Sequence, residues 1–119
     1  MDSIKVTGIR SYGYTGYLPE EQVLGQWFEV DLTLWLDLAA AAASDDLEDT
    51  FDYREAISLV KQIIKTSKYA LVEKLVEAIA EAILKLNKVT QVRVQLSKPG
   101  APIPDFGGRI TLDITRQIK

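Results

Sequence analysis

The sequence predicts an α+β fold in which a four-stranded antiparallel sheet carries two helices on one face, in the order ββααββ. Apolar and polar residues alternate strictly from Gln26 to Leu38, and again in two shorter stretches near the carboxyl end, which is the period of a half-buried strand. Between these stretches the apolar residues recur at three- and four-residue intervals, the period of an amphipathic helix. The chain contains neither internal repeats nor a flexible linker, so its 119 residues are expected to form one domain, 1–119.

The first strand is read in "SIKVTGIRSYGY", where Ile4 and Val6 share a face and Gly8 stands where a bulge or register shift would fit. "GYTGYLPEEQ", Gly13 to Gln22, follows as the long connection of a hairpin, stiffened by Gly13, Gly16 and Pro19. In the second strand, "QWFEVDLTLWLDL", Phe28, Val30, Leu32, Leu34, Leu36 and Leu38 lie on one face, and Glu29, Asp31, Thr33 and Asp37 on the other. "AAAAAS", Ala39 to Ser44, has high helix propensity but little to bury, and is expected to be a loop or a single turn.

In "DYREAISLVKQIIK" Ala56, Ile57, Val60, Ile63 and Ile64 form a helical stripe, with Asp52 as N-cap and Glu55 completing a capping box. A second helix is expected from about Ala70 to Leu86, with Leu71, Leu75, Ile79, Ile83 and Leu86 on its apolar side. Val92, Val94 and Leu96 opposite Gln91, Arg93 and Gln95, and Ile110, Leu112 and Ile114 opposite Thr111, Asp113 and Thr115, make the second strand pair. Both helices on one face leave the other face and both sheet edges open, and open edges pair readily. A homo-oligomer joined at its sheet edges answers this difficulty. Trp27 and Trp35 on the polar face suggest partial cover there.

Composition narrows the chemistry. A net charge of −3, with basic residues spread along the chain, offers no footprint for nucleic acid or for an anionic membrane. No apolar run approaches the roughly 20 residues of a membrane span, and the amino terminus lacks a signal layout, so a cytoplasmic protein is expected. The sequence holds no histidine and no cysteine, which excludes disulfides, thiolate nucleophiles, His-based proton transfer and the usual zinc ligand sets. Proton transfer in such a chain falls to Glu, Asp, Lys, Tyr or water.

Four separated stretches, "GYTGYLPEEQVLGQWFEVDL", "SDDLEDTFDYREA", "LVEKLVEAIAEAIL" and "VRVQLSKPGAPIP", are similar in sequence and spacing to the dihydroneopterin aldolase family of folate biosynthesis. The resemblance covers nearly the whole chain. It implies the tunnelling fold, or T-fold, in which ββααββ subunits join edge to edge into a barrel, usually an octamer of two tetrameric rings with active sites between adjacent subunits. It implies a lyase that cleaves dihydroneopterin, by a retro-aldol reaction, to 6-hydroxymethyl-dihydropterin and glycolaldehyde. On the same resemblance the protonated pterin ring would serve as the electron sink, so that no cofactor, metal or Schiff base would be required.

Carried over by position, the resemblance places Glu21 near the side-chain hydroxyls of the substrate and gives Lys98 acid–base work with a bound water. Tyr53, from a neighbouring subunit, would reprotonate the ring-attached carbon. Glu73 would grip the donor edge of the pterin, where an amide and an amino group match the two oxygens of a carboxylate. The free N–H groups of that helix start, at Val72 and Glu73, would meet the pterin carbonyl. Read without the resemblance, Glu73 is a favourable acid in a first turn. Two loops depart from the family pattern: Thr15 stands where many members carry histidine, and Asp105-Phe106-Gly107 replaces a Gly-His-like turn. Side-chain epimerisation as a second activity stays open. So do a triphosphate epimerase, although Gly13 to Gln22 holds no Lys or Arg for the phosphates, and a non-catalytic pterin-binding ring protein.

Overall fold

The computed structural model describes residues 1–118. Strands β1 (Asp2–Gly13), β2 (Gln26–Leu36), β3 (Gln91–Lys98) and β4 (Ile110–Gln117) form one antiparallel sheet in sequence order. Helices α3 (Tyr53–Thr66) and α4 (Val72–Leu84) lie on one face of it, α3 over β1 and α4 over β3 and β4. Two short helices, α1 (Pro19–Leu24) and α2 (Ala39–Ser44), flank β2. The expected ββααββ order is therefore present, with β2 and β3 paired at the centre and β1 and β4 at the edges.

Period-two alternation places Phe28, Val30, Leu32, Leu34 and Leu36 of β2 beneath the helices beside Val92, Val94 and Leu96 of β3, all fully buried. Ala56, Val60 and Ile64 of α3 and Leu75, Ile79 and Ile83 of α4 close the core from above. Each of the Val, Leu, Ile and Phe side chains among these contributes about 1.5–3 kcal/mol by leaving water, so the sheet and the helices hold one another in place. Among the described residues no helix is long and apolar enough to cross a membrane.

In β1 the register slips between Val6 and Ile9, and Gly8 takes φ +77°, a conformation that side chains disfavour. Its N–H donates to Asp31 Oδ1 at 2.8 Å. The bulge reverses the parity of the strand, so Ile9 and Ser11 turn toward the helices and Arg10 and Tyr12 away from them. On the helix-free face Trp27 stays half exposed, with the Arg10 guanidinium over its ring and Tyr12 against it edge-on.

Three local expectations need correction. Ala39–Ser44 is a six-residue helix, longer than the loop or single turn expected, because five alanines meet no competing local bond and Asp45 closes the helix in the left-handed region. β2 ends at Leu36, two residues early, where the Asp2 carboxylate accepts from Leu38 N–H and turns the chain. Asp52 caps α3 as expected, but its side chain accepts from Arg54 N–H and from the Arg54 guanidinium instead of from Glu55.

Candidate active site

The apolar columns of β2 and β3 run out at one end of the sheet into polar residues. Gln26 continues the parity of Phe28 and Val30, and Lys98 that of Val94 and Leu96. Both therefore project to the helix side of the sheet, where hydrocarbon would otherwise lie. Lys98 is the last residue of β3, and Pro99 cannot extend the ladder beyond it.

The opening connection brings a partner to this end. It is not an irregular loop, because Pro19 starts a short helix and Glu21 N–H bonds back to Leu18 O. The Glu21 carboxylate makes the reciprocal bond, Oε1 accepting from Leu18 N–H at 3.2 Å. Gly16 passes so close to Glu21 that a Cβ on it would stand 2.5 Å from the Glu21 Cβ. Any larger residue would push the glutamate out of place.

So held, Glu21 Oε2 accepts from Lys98 Nζ at 2.6 Å and from Gln26 Nε2 at 2.7 Å. The pair is largely enclosed, with side chains 6% exposed for Glu21 and 13% for Lys98. Burial pushes the Glu21 carboxyl up, but the bonds from Lys98, Gln26 and Leu18 N–H and the lysine charge outweigh it, holding the group below its usual 4.5. A carboxylate held low stabilises the fold fully above its ordinary range, and the stabilisation is lost as pH falls through the lowered value. Removing one partner of a buried pair costs about 3–5 kcal/mol. Glu21→Gln is therefore expected to be less stable than the parent at pH 7, with the gap closing below pH 4.5 in denaturant titrations. A gap independent of pH would contradict the charge assignment.

Thr15, fully buried, fastens the same corner to the helices. Its hydroxyl accepts from Tyr69 N–H at 3.2 Å, and Gly16 N–H donates to Tyr69 O at 2.9 Å. Tyr69 lies in the link from α3 to α4, so these bonds set the first turn of α4 at the end of the molecule that holds Glu21 and Lys98. In that turn the Glu73 side chain is exposed and that of Val72 is buried. Leu71, the N-cap residue, makes no side-chain cap, and Lys74 N–H bonds back to Leu71 O, so among the described residues the open N–H groups of this turn are those of Val72 and Glu73.

Tyr53 is not with them. It begins α3, half exposed, in a recess shared with Ile4, Phe51 and Arg54. Ile4 stands in register with Leu34, and Leu34 with Val92. Lys98 lies six residues further along β3, about 20 Å at the rise of a strand. One chain thus brings Glu21 and Lys98 together, sets the start of α4 at their end, and leaves Tyr53 at the other. Asp105-Phe106-Gly107 lies in the exposed loop that follows Lys98.

Sequence reasoning missed Gln26. The signal was its parity: a glutamine in line with Phe28 and Val30 is a polar group in an apolar column, which must find a partner inside.

The dihydroneopterin aldolase (FolB) family profile matches residues 4–115. A curated relative from Synechocystis sp., "Probable dihydroneopterin aldolase", is 59% identical over 116 residues, 98% of each chain. The dihydroneopterin aldolase of Bacillus subtilis is 43% identical over 118 residues, again 98% of each. Among solved structures, Escherichia coli dihydroneopterin aldolase in complex with neopterin superposes with a TM-score of 0.88 at 30% identity, covering 98% of this chain and 99% of that one.

Proposed function

Since the chain belongs to the dihydroneopterin aldolase family and is a dihydroneopterin aldolase, a lyase of folate biosynthesis, we propose that Lys98, Glu21, Glu73, Val72 and a neighbouring copy's Tyr53 form its site. The observation that carries this reading is the enclosed Glu21–Lys98 pair at 2.6 Å. An ammonium and a carboxylate held together beside an open helix start suit a substrate with a polar ring at one end and hydroxyls at the other. The neopterin held by the E. coli relative supports a pterin as the ligand.

In this reading Glu73 takes the amide and amino donors of the pterin with its two carboxylate oxygens, and the leading N–H groups at Val72 and Glu73 take the ring carbonyl. That grip fixes the ring so that the trihydroxypropyl chain reaches toward Glu21 and Lys98. Lys98, acting with a water molecule, serves the protons of ring and side chain. The 2′-hydroxyl gives up its proton, the bond from C1′ to C2′ breaks, and C2′ leaves as the aldehyde carbon of glycolaldehyde. The electron pair of that bond passes into the protonated ring. Tyr53 of a neighbouring copy then delivers a proton to C1′, completing 6-hydroxymethyl-dihydropterin. The ring itself accepts the electrons, so metal and Schiff base are unnecessary, in keeping with a chain that has no histidine or cysteine.

The single domain, 1–119, is proposed to assemble into an octamer of two tetrameric rings through its open β1 and β4 edges. Such a ring would bring the α3 start of one copy to the β3 end of the next. Turnover is expected to persist in a strong chelator, and borohydride added with substrate is expected to leave the enzyme active. Loss of activity restored by a divalent metal, or a reduced adduct on a lysine, would overturn the metal-free and Schiff-base-free chemistry.

A further inference from the structure

Gln26 is held by the site and also left incomplete by it. Its amide nitrogen donates to Glu21 Oε2 at 2.7 Å and lies 3.5 Å from Thr15 O, while its amide oxygen, also buried, finds no hydrogen-bond partner among the described residues. Turning the amide over would set an oxygen against the Glu21 carboxylate, so Glu21 dictates the orientation that strands Oε1. A buried acceptor without a partner is unfavourable, and an apolar residue in line with Phe28 would have removed it. The bonds made by the amide nitrogen offset that cost.

We infer that Gln26 is a positioning residue for catalysis: its side-chain amide holds the Glu21 carboxylate against Lys98 and ties that pair to the Thr15 corner that sets the start of α4. Glu21 Oε2 receives Lys98 from one side and Gln26 from the other, so the amide limits the rotation left to the carboxylate. Thr15 O meets the same amide nitrogen, and the Thr15 hydroxyl takes Tyr69 N–H. One connected path therefore joins the lysine that serves protons to the helix turn that grips the ring. The role rests on the proposed assignment of Lys98.

The experiment compares Gln26→Met and Gln26→Glu, each also in a Lys98→Ala background, with folding checked by thermal melting. A displacement of about 1 Å in a catalytic group costs on the order of 10²-fold, so Gln26→Met is expected to lose roughly 10–100-fold in kcat with little change in KM. Gln26→Glu keeps the shape and sets a second carboxylate against Glu21, so it is expected to lose at least as much. In the Lys98→Ala background neither substitution should cost much more, because the group being positioned is gone.

A folded variant with parental kcat, a loss confined to KM, full multiplicative losses beside Lys98→Ala, or failure of both variants to fold would each overturn the role. Parental turnover in Lys98→Ala alone would remove the assignment of Lys98, and this role with it. An inactive Lys98→Ala beside a fully active Gln26→Met would overturn this role alone.

Discussion

Lys98→Ala is expected to lower turnover of dihydroneopterin at least about 100-fold, the lower end of what a positioned proton-transfer group supplies, while pterin affinity stays nearly unchanged. The split follows from where the groups sit. Lys98 ends β3 inside the Glu21 pair, whereas the proposed ring-binding groups belong to the first turn of α4. Loss of the ammonium costs stability, as loss of either partner of the pair does, but Glu21 keeps its bonds from Leu18 N–H and Gln26, and the proposed ring-binding turn of α4 is not touched. Steady-state kinetics beside equilibrium pterin binding checks this. A variant that keeps its kcat, or one that loses binding and turnover together, would contradict the role given to Lys98.

Rings mixed from Tyr53→Phe and Lys98→Ala chains are expected to recover activity that neither variant shows by itself. If each site takes Lys98 from one copy and Tyr53 from the next, a neighbouring pair of the two variants contains one site with both residues intact. With random mixing at equal concentrations, about a quarter of the sites would be restored, as closed rotational symmetry in the assembly implies. Within one chain Tyr53 sits beside the Ile4–Leu34–Val92 row, about 20 Å along the sheet from Lys98 at the rise of a strand, and this placement motivates the expectation. Activity no higher than the mean of the two parents would place both residues in the same chain, or assign the reprotonation elsewhere.

Much of the fold was legible because long periodic segments are set by burial. The six alternating apolar residues from Phe28 to Leu38 could serve one buried face only, and Gly8 marked the bulge that turns Ser11 inward. The α1 helix was not legible. Gly13, Gly16 and Pro19 read as breaks, and its six residues hold together through the Glu21 cap, the nearby bond to Gln26 and the bond to Lys98, the last a contact distant in sequence. Glu21 and Lys98 were named through resemblance to a family; the chain itself supplied the reason they meet, which is that both end at the edge of the same core. Gln26 was legible in principle from its parity, yet a lone glutamine at a strand start draws no attention until its neighbours are known. Tyr53 marks the limit of a single chain, since nothing in one sequence states which residues a copy will supply.

The most direct test follows both products of dihydroneopterin in the presence of the purified protein. Glycolaldehyde and 6-hydroxymethyl-dihydropterin are expected to appear in equal amounts, at a rate proportional to enzyme and lost in Lys98→Ala. Pterin bound with no glycolaldehyde released, or a dihydroneopterin epimer as the sole product, would contradict cleavage as the reaction of this site.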